Sequence, residues 1–197
     1  MTESGRFLLA TLMGLVLAAL VHVGVVLGVP WMGERDAFSR LRSTMSAERS
    51  ELVSSLGSET WLPQPDPAVA IAACAYNLGE GPIRIASRTG SLFESVSFHG
   101  RAGGVYYAIT DRAAVRGVLE ILVMTKAQYD EALAREDEED PSRDLRVVSP
   151  SREGLVIVRV LAATASQRGE AEEAARGVSC VIEPQAPAPG QTPPQKP

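Results

Sequence analysis

The chain is poor in the residues that carry most acid–base, metal and redox chemistry. Two of its 197 residues are histidine and two are cysteine, aromatics make up 5%, and the only lysines are Lys126 and Lys196. His22 falls inside a long apolar run, so His99 is the one histidine in the rest of the chain and multi-histidine metal sites are excluded. Without a Cys-x-x-Cys, neither a thioredoxin-like dithiol nor a cysteine-based zinc site is supported. The net charge is −5 with no basic cluster, and phosphate-backbone binding needs a positive footprint; nucleic acid is therefore not an expected partner. The acidic run 136–140 lacks the alternating Asp/Asn ligands and central glycine of a calcium loop and reads as a solvated loop. No cofactor and no metal are expected.

What is present begins with residues 7–29, which contain no Asp, Glu, Lys or Arg. As a helix they would extend roughly 34 Å, slightly more than the hydrocarbon core of a bilayer. The run is longer than a signal-peptide core and no Ala-x-Ala follows it, so it reads as an uncleaved signal-anchor, with Trp31 at the interface. Ala10, Gly14, Gly24 and Gly28 fall near one helical face, a spacing that permits close helix approach but is common in any Ala/Gly-rich span. Orientation is contested. Arg6 precedes the span and Arg35, Arg40, Arg42 and Arg49 follow it, which alone would keep the following domain inside. Two cysteines, Cys74 and Cys180, in an anchored protein point instead to a disulfide outside the cytosol, two buried free thiols being the alternative. Long domains translocate largely regardless of flanking charge, which favours the cysteine argument.

The expected organisation is a cytoplasmic N-terminus (1–6), the transmembrane signal-anchor (7–29), a juxtamembrane segment (30–62), an extracytoplasmic domain (63–183) and a disordered proline-rich tail (184–197). An amphipathic helix is expected over 36–56, with Phe38, Leu41, Met45, Leu52 and Leu56 on one side and Gly57 as its stop. Apolar or alternating runs at 68–78, 83–86, 92–98, 105–110, 118–124, 146–148 and 154–161 read as strands, with 92–98 and 105–110 as a hairpin. Thr125 opens a capping box for a helix to residue 135, and Ser166 caps a second helix to residue 177 that delivers Cys180. The fold class is α+β: one mainly antiparallel sheet domain with two or three helices.

The densest polar cluster surrounds the hairpin. His99 and Arg101 would lie at its loop end and Asp111 and Arg112 at the far end of its second strand, about 17 Å away at ~3.3 Å per residue. That separation argues against a single catalytic constellation. Ser97, His99 and Asp111 match a triad in composition only, because no Gly-x-Ser-x-Gly elbow exists. Asp111-Arg112 reads as an ion pair or turn contact. Gly100, Gly103 and Gly104 neither lead into a helix N-terminus nor supply Gly-Lys-Ser/Thr.

Short motifs run through residues 7–180: Asp66-Pro67-Ala68 leading to Ala73-Cys74 and Tyr76, then Gly81-Pro82-Ile83-Arg84, then Tyr107 with Asp111-Arg112-Ala113-Ala114. Arg152-Glu153-Gly154-Leu155 with Arg159, and the closing Ser179-Cys180, complete the set. In order and spacing they resemble the small membrane-anchored bacterial proteins of the domain-of-unknown-function 1254 family. The family pattern has Asn before the Asp-Arg pair and an acidic residue near Gly100 or Gly104; here Thr110 and the two glycines stand instead. The resemblance implies a proteobacterial envelope protein with both cysteines paired, and a partner carrying the domain of unknown function numbered 1214. It implies no reaction. The expected role is a membrane-anchored envelope protein acting as a non-enzymatic interaction domain, bound to the lipid bilayer and to an anchored partner or a second copy of itself. The alternative is an envelope enzyme or small-ligand binder with a site near His99/Arg101 or Asp111/Arg112.

Overall fold

A computed structural model describes residues 2–32, 37–54, 62, 64–101, 104–135 and 145–183, the side chains of 30–32 excepted. Asp36, Leu56, Gly57, the side chain of Trp31, the acidic run 136–140 and the tail 184–197 lie outside the described residues. The chain divides into two compact units, 1–39 and 40–197.

In the first unit, α1 (Glu3–Met32) is one continuous helix. Its stretch Glu3–Val29 has a mean hydropathy of 2.5 and none of that apolar window is buried, so it is long and apolar enough to cross a membrane. Leu, Val and Phe side chains all round a helix leave no polar face for water, and lipid is the solvent that matches such a surface.

The second unit is α+β. Helices α2 (Ala37–Leu41, which straddles the division) and α3 (Thr44–Ala47) lead into β1 (Glu51–Leu52). The strands β2 (Val69–Asn77), β3 (Ile83–Arg88), β4 (Glu94–Gly100), β5 (Val105–Thr110) and β6 (Val118–Met124) follow. Helix α4 (Lys126–Arg135), β7 (Leu145–Val148), β8 (Glu153–Leu161), α5 (Arg168–Arg176) and β9 (Ser179–Ile182) complete the unit. One sheet has the order β1-β2-β8-β4-β5, with every neighbouring pair antiparallel. The other has the order β7-β6-β3-β9 and is antiparallel except for β6 with β7.

The strands form where alternation demands them. Even-numbered residues of β2, β4 and β8 face a core shared by both sheets, including Tyr76, Val96, Phe98, Val156 and Val158, all fully buried. Ile83, Ile85, Ile121 and Val123 enter it from the second sheet, and Ala171 and Ala175 from α5. Cys74 on β2 and Cys180 on β9 meet inside this core as a disulfide, with Cα atoms 6.8 Å apart, so the covalent link joins one sheet to the other.

The domain is α+β and mainly antiparallel, as expected, with its strands divided between two sheets, and β1 and β9, too short to show periodicity, each add to the edge of one of them. One expectation is corrected. The amphipathic helix does not run to Leu52. It breaks after α3, where Glu48 takes a left-handed φ of 54°, and residues 49–52 become extended instead. The reason is pairing: Glu48 O accepts Cys180 N–H, Ser50 N–H donates to Val178 O, Glu51 and Leu52 pair with Ala73 and Ala72, and Val53 N–H donates to Ile71 O. One short segment thus satisfies backbone groups at the edges of both sheets, which outweighs helical propensity. Thr44 Oγ1 extends that service by accepting Ala75 N–H at 2.9 Å. At α4 the capping box forms as read, Thr125 and Gln128 each accepting from the other's backbone N–H. Ahead of the last helix the box is formed by Thr164 and Gln167, not Ser166, and it closes the 3-10 turn Ala165–Gln167 that leads into α5.

Candidate functional site

The β4–β5 hairpin keeps the two sequence candidates apart. Ser95 pairs with Thr110 at one end and His99 with Val105 at the other, after a bulge between Phe98 and His99. Arg101, just past β4, sits 3.5 Å from the Glu153 carboxylate, and its N–H donates to Ser151 Oγ. Asp111 and Arg112 belong to a 3-10 turn after β5. Of the ion pair or turn contact expected there, the turn forms, with Asp111 O accepting Ala114 N–H, and no ion pair joins the two side chains. Arg112 is exposed, while Asp111 Oδ1 is buried without a hydrogen-bond partner.

Asp111 instead neighbours a carboxylate that the sequence reading passed over. Glu94 is 2% exposed and its Oε1 is also buried without a partner. It shares the even-numbered face of β4 with Val96 and Phe98, so period two alone places it in the core. Burial raises the Glu94 carboxyl above the usual carboxylate range; a hydrogen bond with Ser87 pulls it down, and the Asp111 charge pushes it up again. The native state therefore keeps a proton here that the unfolded chain releases, and stability falls as pH rises above the ordinary carboxylate value of about 4. Glu94→Gln removes the charge that burial and Asp111 disfavour. Chemical denaturation at a series of pH values should find this variant about 1–3 kcal/mol more stable than the native chain at neutral pH, with a flatter pH dependence. Identical pH slopes for the two proteins would show that Glu94 ionises as freely as in the unfolded chain.

The outer face of the same sheet carries a second cluster. Ser97 Oγ lies 3.2 Å from His99 Nε2, accepts a hydrogen bond from Arg159 Nη1 at 3.0 Å and donates to Ile157 O at 3.3 Å. Burial, then the Arg159 charge, hold the His99 imidazole below its usual value, so it is neutral at physiological pH. Ser97 and His99 do touch, as their i, i+2 spacing on one strand allows. Among the described residues no carboxylate orients the imidazole, and Asp111 is at the other end of the hairpin, so the Ser-His-Asp triad is not assembled. Arg159 was not among the sequence candidates. A single charged residue within the otherwise apolar run 155–161 of β8 is the signal that marks it.

A phenol network lies on the core side. Tyr76 Oη sits 2.9 Å from Tyr106 Oη and 3.0 Å from Ser149 Oγ, a bridge between β2, β5 and the end of β7, and burial pushes the Tyr106 phenol up, so that hydroxyl stays protonated. Gly154 makes room for it: a Cβ there would come within 2.3 Å of Tyr76 Oη and 2.2 Å of His99 O. A groove of about 480 Å³ runs beside β3, β6 and α5, with Ser87, Arg88, Glu173 and Ser179 in its lining and no histidine or cysteine. Among the described residues, no group of three or more His, Cys, Asp or Glu side chains is placed to hold a metal ion.

No family model matches the chain, and no curated protein matches it. Among solved structures it is similar to the VPA0106 protein from Vibrio parahaemolyticus, at 10% identity and a TM-score of 0.49, over 76% of this chain and 35% of that one. It is also similar to an uncharacterized protein from Burkholderia cenocepacia, at 12% identity and a TM-score of 0.46, over 80% of this chain and 40% of that one. The chain therefore spans well under half the length of each of these two structures.

Proposed function

We propose that this chain is an envelope protein of the bacterial inner membrane, anchored by α1 with its N-terminus inside, whose folded domain works in the periplasm as a non-enzymatic interaction module. The observation that carries this reading is the Cys74–Cys180 disulfide, buried at 0% and 1% exposure between two sheets. A cross-link built into the core requires an oxidising compartment during folding, because the reducing cytosol keeps such thiols free. The arginines after the span oppose this topology, but a domain of this length translocates largely regardless of them. The described residues form no nucleophile–base–orienter set at His99, which supports an interaction role over a catalytic one. The partner is a similarly anchored protein, of the 1214-type domain that the sequence resemblance implies, or a second copy of the chain.

In spheroplasts of a Gram-negative host, protease added from outside should digest the domain, and the native chain should change gel mobility on reduction while Cys74→Ser does not. A protected domain, or two thiols that alkylate without reductant, would overturn the topology. Purification in mild detergent should retain a partner or a homo-oligomer; a strictly monomeric chain with nothing bound would overturn the interaction role.

A further inference from the structure

We infer that the outer face of the five-stranded sheet binds a carboxylate attached to an apolar body, received by Arg159 with Ser97 and His99. Arg159 offers five N–H donors and uses one, toward Ser97 Oγ. No carboxylate among the described residues pairs with it, although the nearest acid along β8, Glu153, is engaged by Arg101 at the sheet's end. A guanidinium keeps its charge at any physiological pH, so a half-buried one without a counter-ion leaves a positive potential that a ligand can neutralise.

The surroundings select the rest of the ligand. Across the sheet Arg159 is flanked by Ile71 and Ser95, and the next rows bring Ala73, Ile157, Ser97 and Ala108 side by side, with the exposed Glu51 of β1 beyond Ala73 at the far edge, then Ala75, Leu155, His99 and Val105. Antiparallel partners share a face, so the polar spot is bordered by aliphatic side chains, of which Val105 is 57% exposed. One uncompensated cation calls for one negative charge, and the fork of a guanidinium fits a planar carboxylate through two parallel hydrogen bonds. An inorganic phosphate dianion would bring a second charge without apolar surface to cover. His99 completes the site from β4: its neutral imidazole faces Arg159 from β8, while the residues paired with it on β8 and β5, Leu155 and Val105, carry no charge. A bound anion relieves the repulsion from Arg159, and His99 then takes up a proton more readily.

The chain has two histidines, so ¹³Cε1-histidine labelling of the full-length protein in nanodiscs yields two resonances, with His22 in the apolar helix as the internal reference. Titration with octanoate should shift the His99 signal saturably and raise its titration midpoint, leaving His22 unmoved. Octan-1-ol and inorganic phosphate should do neither. Arg159→Met should weaken octanoate binding by about tenfold or more, with Arg159→Lys in between and an unchanged circular dichroism spectrum for both. Equal binding by the Met variant, an equal response to octanol or phosphate, or parallel shifts at both histidines from general partitioning would each overturn the assignment. If Arg159→Met fails to fold, a His99 signal in the native chain that stays flat through the octanoate titration overturns it alone.

Discussion

Replacing Cys74 and Cys180 together by alanine will lower the stability of the domain by about 4–5 kcal/mol, the cost on a chain-entropy account of releasing a loop of about a hundred residues in the unfolded state. The sequence separation is 106, and the bond joins β2 of one sheet to β9 of the other. β9 is four residues long and shares its hydrogen bonds with β3 and with residues 48–50, so little else fixes the end of the domain covalently or by area. Folded domains have only about 5–15 kcal/mol to lose. The expected drop in midpoint temperature is about 10–20 °C for a domain of this size. Thermal unfolding of the native and double-alanine proteins in the same detergent, with and without reductant, measures it. A loss below about 1 kcal/mol would mean that sheet packing alone sets the stability.

Arg168→Met will cost about 3–5 kcal/mol, the range found when one partner of a buried ionic network is removed. Arg168 is 7% exposed at the start of α5. Its Nη1 donates to the carbonyls of Asp66, Pro67 and Val69 at 2.9–3.1 Å, its Nη2 to Ser54 O, and its Nε to Glu172 Oε1 at 2.9 Å. One guanidinium therefore holds Ser54, two residues past β1, the approach to β2 and the last helix together. Methionine fills the volume but leaves those carbonyls and Glu172 without their donor, and lysine, a single point charge, restores only part of the set. Denaturant midpoints of the Met and Lys variants should fall in that order, and amide exchange should accelerate first at Val53 and Ile71, whose N–H groups bond within the same clasp. Equal loss in both variants with uniform exchange would place the contribution in general packing rather than in the clasp.

Sequence and structure diverge at particular residues for identifiable reasons. Arg168 carries one signal in the sequence: a cation in the first turn of a helix is opposed by the helix dipole, so it needs another reason to be there. Glu94 was legible as well, since period two places it with Leu92, Val96 and Phe98. What hid it is the habit of reading an acid as solvent-facing, which burial here overrides. Arg159 could be placed on a strand face, but its lack of a counter-ion depends on strands β4 and β8 being neighbours, and these are fifty residues apart in the chain. The failed helix over 36–56 has the same origin. Its periodicity is real, yet the edges of β2 and β9 compete for its backbone, and only the assembled sheets create those edges.

By itself the sequence determined the membrane-length helix, the α+β class, the positions of the long strands and the hairpin that separates His99 from Asp111. All of these rest on local physics: hydropathy over a contiguous run, a side-chain period of two and turn chemistry. The tertiary structure alone decided that the strands divide between two sheets, that the disulfide lies between them, and that Arg168, Glu94 and Arg159 are the charged groups that matter. Those facts concern which distant segments share an edge or a core, and desolvation and pairing act on a side chain only after the chain has brought its neighbours to it.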